Sequence, residues 1–78
     1  MNPVVIGTPD EVLGFALAGA TTFVATTDAE VEKAIDRAVK TVDHPIVILS
    51  RHAADLAHER IDAWEHGTSG PLYVVLPG

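Results

Sequence analysis

The sequence predicts a single α/β domain over residues 1–78, with element order βαβαβαβ and a four-stranded parallel sheet in the strand order 2-1-3-4. Three observations predict it. The short apolar runs near residues 4–7, 22–25, 45–49 and 71–76 are continuous rather than alternating, as in strands covered on both faces. Helix-start signals follow the first three runs, and helical stretches fill the gaps between strands. No linker, repeat or low-complexity tract interrupts the pattern. At 78 residues the chain buries only about 60% of its unfolded surface, so it has one core and little to spare.

Val4-Val5-Ile6-Gly7 reads as the first strand. Thr8-Pro9-Asp10-Glu11 then supplies a capping Thr, a Pro suited to the first helical position and a Glu that closes a capping box, so a helix begins at about Pro9. Its body, Val12 to Gly19, carries no charged side chain on any face, whereas a helix on a soluble domain normally keeps a polar stripe toward water. Gly19-Ala20 ends it, and Thr22 to Ala25 reads as the second strand. Thr27-Asp28-Ala29-Glu30 repeats the capping box. Val31, Ala34, Ile35, Ala38 and Val42 recur at helical spacing with charged residues between them, a conventional amphipathic helix. Pro45 to Leu49 is the third strand, and Ser50 caps a third helix from Arg51 to about His66, with Gly67 at its stop. Pro71 to Leu76 is the fourth strand.

Right-handed crossovers in this strand order put the first helix alone on one face and the other two on the opposite face. Four strands at ~4.8 Å spacing span ~14 Å, and one helix is ~10–12 Å across, so part of the first helix's sheet face is left open. The uncharged helix lies on that same face. A partner chain or a self-copy is therefore expected over the region of Leu13, Phe15, Leu17 and Ala18, with Tyr73 and Val75 of the fourth strand as a weaker second choice. Phe15 and Leu17 sit about 200° apart on a helical wheel, so they cannot both face the sheet.

Composition narrows the function. Eleven acidic residues against five basic ones give a net charge of −6, which repels nucleic-acid phosphates and anionic lipid. The absence of cysteine excludes disulfides and thiolate chemistry. No apolar run approaches the ~20 residues of a membrane span, and Met1-Asn2-Pro3 lacks the features of a signal peptide.

Catalytic and ligand readings are weak. Gly7, Gly14 and Gly19 do not form GxGxxG, and Asp10 and Glu11 would face incoming phosphates. A phosphoacceptor receiver would need an Asp where Ser50 stands, and a fifth strand bearing Lys. Ser50 beside His52 reads as a cap, with no third member of a triad. His58, Asp62 and His66 recur every four residues on the third helix and are the candidate metal ligands, with no distinct fourth ligand. No cofactor is expected. The alternatives to a docked subunit are a small ligand- or metal-binding module, using that helix face or the strand ends near Gly7, Thr8 and Ser50, and a self-associating structural domain.

The residues resemble the F subunit of the V-type and archaeal A-type rotary ATPases and of their bacterial V/A-type relatives. Val5-Ile6-Gly7 followed by Gly14-Phe15-Ala16-Leu17-Ala18-Gly19 is similar to that family's opening strand and GFxLAG helix, its most specific local signature. Ile46 to Ser50 leading into Arg51-His52-Ala53, and Pro71 through Val74-Val75-Leu76-Pro77, look like its third and fourth strand regions. The resemblance spans nearly the whole chain. It implies a small, non-catalytic, Rossmann-like domain that binds the coiled-coil D subunit in the central rotor stalk and supports proton or sodium transport coupled to ATP. It also implies partners among the other ATPase subunits and a cytoplasmic location peripheral to the membrane. Family members usually continue into a linker and C-terminal helix, whereas this sequence ends at Gly78, so a short form without that helix is expected.

Overall fold

The computed structural model describes residues 3–41, 46–66 and 72–77, with the backbone alone for residues 41 and 64–66. Val42, Pro45, Gly67 and Pro71, and the side chains of Trp64 and His66, lie outside the described residues. The elements are β1 (Pro3–Gly7), α1 (Pro9–Leu17), β2 (Thr21–Val24), α2 (Asp28–Thr41), β3 (Ile46–Leu49), α3 (Arg51–Leu56), α4 (His58–His66) and β4 (Leu72–Val75). All strand pairs are parallel, in the order β2-β1-β3-β4.

The helix ends follow from local chemistry. Glu11 Oε1 accepts the Thr8 amide at 2.8 Å and anchors the start of α1. At its other end the Ala20 amide donates to the Phe15 carbonyl and the Gly19 amide to the Ala16 carbonyl, each at 3.0 Å. This Schellman pairing requires the left-handed backbone that Gly19 adopts at φ +91°. At α2, Thr27 Oγ1 accepts the Glu30 amide, while Glu30 Oε1 accepts the amides of Thr26 and Thr27 and the Thr26 hydroxyl.

The backbone bond from Thr26, followed by the Thr26 hydroxyl, holds the Glu30 carboxyl below the usual carboxylate range. A lowered folded pKa adds stability that is present above the ordinary carboxylate range and lost as pH falls through the folded value. Glu30→Gln is therefore expected to flatten the acid limb of the stability profile. Urea midpoints of both proteins measured from neutral to acidic pH check this, and parallel profiles would refute it.

Where one third helix was expected, two are found. Ala57, at φ −107° and ψ 21°, breaks the run between α3 and α4. The His58 Nδ1–H donates to the Asp55 carbonyl at 3.0 Å, satisfying a backbone acceptor at the break.

Strand register assigns the two faces. Val4 and Ile6 of β1, Val47 and Leu49 of β3, and Tyr73 of β4 share the face covered by α2 and α3. They form the main core with Val31, Ile35 and the small residues Ala53 and Ala57. Arg60 of α4 ties that helix to α2, donating to Glu32 Oε2 at 2.8 Å and Asp36 Oδ1 at 2.7 Å.

Candidate docking surface

The second face of the sheet carries Thr22, Val5, Ile48 and Val74 in register, with Ile46 and Leu72 one pair away. α1 packs chiefly over β1 and β2. It buries one residue of its own, Val12, while Val5 is the fully covered strand residue on that face. Beyond α1 no described helix packs on this face. Ile46 and Ile48 are half-buried, and on the edge strand Leu72 is 51% and Val74 41% exposed. The expectation of a partly uncovered apolar face thus has a specific location, the β3–β4 half.

The α1 residues divide as the helical wheel requires. Phe15 is half-buried, Leu17 is 81% exposed, Leu13 is 56% exposed and Ala18 is exposed. The fourth-strand choice needs correction. Tyr73 is buried in the main core, and Val75, partly exposed, shares its face, which is the one covered by helices. Burial pushes the Tyr73 hydroxyl's pKa up, against the opposing effect of the nearby Arg60 guanidinium. The open-face residues of β4 are instead Leu72 and Val74, and sequence reasoning missed them. A run without alternation holds no signal of which parity faces which side. Only the pairing of β4 with β3 supplies it.

The ligand sites considered from sequence are poorly equipped. In a doubly wound sheet the crevice for ligands opens where the strand order reverses, here between β1 and β3 at their C-terminal ends. A cleft of about 490 Å3 lies there, lined by Glu11, Ser50, Arg51, His52, Asp55 and Leu76, with Pro77 at its rim. A Cβ on Gly7 would lie 3.0 Å from Glu11 Oε1 and 3.2 Å from Ser50 Oγ, so glycine is the residue that lets these side chains close over the strand end. The Thr8 amide, more than the neighbouring Ser50 hydroxyl, holds the Glu11 carboxyl below the usual carboxylate range. The cleft wall therefore sets the Glu11 carboxylate beside Arg51 and His52, a mixed-charge lining rather than an anion cradle. Ser50 Oγ accepts the Ala53 amide at 3.1 Å, the capping role, and is buried. On α4, His58 and Asp62 are exposed, and among the described residues no three potential ligands converge on a metal position.

Fold and surroundings together define a class: a small, doubly wound α/β domain whose switch-point crevice has a carboxylate in its wall and whose second sheet face is half covered. Within that class the chain belongs to the family of the ATP synthase (F/14-kDa) subunit, whose model matches residues 4–78. The crystal structure of the F subunit of the V-type ATP synthase from Archaeoglobus fulgidus is similar at a TM-score of 0.72 and 28% identity, covering 97% of this chain and 96% of that one. Among curated proteins, no sequence matches. The chain is thus a rotary ATPase subunit whose partners include other subunits of that complex. Among the described residues no helix is long and apolar enough to cross a membrane.

Proposed function

We propose that this chain is a non-catalytic component of the central rotor stalk, docked on the coiled-coil D subunit and supporting proton or sodium transport coupled to ATP. The observation that carries this reading is the half-open sheet face. α1 covers β1 and β2, and the strip over β3 and β4 has the width and apolar character that a second covering helix would fill. A coiled coil supplies such a helix from another chain. Leu13 and Leu17 on the outer side of α1 and Leu72 and Val74 on β4 are the contact residues of this reading. It places the chain on the cytoplasmic side, peripheral to the membrane.

Co-expression with the organism's own coiled-coil rotor subunit, followed by size-exclusion chromatography with light scattering, tests the proposal. A stable one-to-one complex is expected. A homodimer of this chain that ignores the coiled coil would favour the self-associating alternative. Stabilisation by nucleotide or zinc, with no complex, would favour the ligand-binding one, since binding to the native state alone raises the melting temperature.

A further inference from the structure

The charges of α2 are sorted between its two flanks. Glu32 and Asp36 point toward α4, where Arg60 engages both carboxylates. Lys33 and Arg37 lie on the other flank, beside β2, where the Arg37 guanidinium stacks 5.5 Å from the centre of the Phe23 ring. Lys40 continues the same helical stripe at i, i+4, i+7 spacing. Three of the five basic residues of a chain with net charge −6 thus share one flank.

That flank borders an open sheet edge. β2 is a terminal strand of the sheet among the described residues. The Ala25 amide donates to the Gly7 carbonyl at 2.8 Å, so it points toward β1. By the alternation of an extended strand, Thr22 and Val24 turn their amides and carbonyls outward. Val24 is 55% exposed, and a groove of about 380 Å3 runs between β2 and α2, with Lys33 and Arg37 on its wall. Glu30, also in that wall, is engaged by the Thr26 and Thr27 amides at the helix start.

We propose that the β2 edge is a second interaction surface, taking an extended acidic segment of another subunit by strand addition, with carboxylates of that segment paired to Lys33 and Arg37. An unpaired strand edge offers the main-chain bonds, and the cations beside it select the partner by charge. A nucleic-acid strand is disfavoured because the rest of the surface is acidic. The surface is distinct from the apolar face assigned to the coiled coil, and the inference rests on the chain working inside the ATPase complex.

The test uses the purified complex with a photocrosslinking amino acid in place of Val24, and separately in place of Leu17. Irradiation is expected to join position 24 to a carboxylate-rich segment of another subunit and position 17 to the coiled coil. Lys33→Glu with Arg37→Glu should lower the position 24 yield by about tenfold or more and leave the position 17 product unchanged. Thr22→Pro, which removes the other outward amide without changing charge, should lower the position 24 yield at unchanged melting temperature. No product from position 24, a product in a segment without acidic residues, or a yield indifferent to charge reversal would overturn the proposal. Loss of the position 17 product alone would overturn the coiled-coil docking instead.

Discussion

Leu17→Asp and Leu72→Asp, made singly, are each expected to weaken capture by the coiled-coil rotor subunit by about two orders of magnitude while leaving the domain folded. Leu17 is 81% and Leu72 51% exposed in the free chain, so a charge at either position stays hydrated and costs little stability. In the docked state the same carboxylate would be buried against apolar side chains without a partner, a penalty of ~3 kcal/mol or more, which is about a hundredfold in affinity. Titration of each variant against the coiled-coil partner, with circular-dichroism melts of the free proteins, checks both halves. Unfolding of the Leu17 variant would show that residue to be core. Unchanged affinity in both variants would place the interface elsewhere.

Ile35→Ala is expected to have the largest effect on stability. Ile35 is fully buried in the core between α2 and the sheet, and removing its outer carbons leaves a cavity that costs ~2–5 kcal/mol. A domain of this length holds only about 4–12 kcal/mol in total, so the melting temperature should fall on the order of 15 °C. The coiled-coil partner should restore part of the loss if it binds the native state alone. A change below about 1 kcal/mol would mean that α2 shifts inward to close the gap.

Much of the fold was legible in the sequence because its signals are local. The capping residues Thr8 and Glu11, and Thr27 and Glu30, mark helix starts through contacts within four residues of themselves. Gly19 marks a helix end because the left-handed turn there disfavours a side chain. The continuous apolar strands imply a parallel sheet, the order usual for small doubly wound sheets is the one found, and crossover handedness then assigns the helices to faces. β2 begins one residue earlier than expected and stops at Val24, and α3 and α4 replace a single helix. The Ala57 break has no Gly or Pro to announce it.

The candidate surface was legible only in part. The uncharged body of α1 pointed to Leu13, Phe15, Leu17 and Ala18 together; helical periodicity showed that Phe15 and Leu17 cannot both face the sheet, and the structure shows that Phe15 is the one turned toward it. The fourth strand held no equivalent cue: LYVV is apolar at every position, and pairing with β3 alone turns Tyr73 inward and Leu72 and Val74 outward. The sorting of α2 into an acidic flank held by Arg60 and a basic flank beside β2 likewise depends on a residue 24 to 28 positions away. Sequence by itself determined the strands, the first two helices, the order of the elements and the likeness to the ATPase subunit, because caps, turns and periodicity act over a few residues. Tertiary structure alone decided which apolar and charged side chains share a face, because that depends on strand register and helix contacts made between distant parts of the chain.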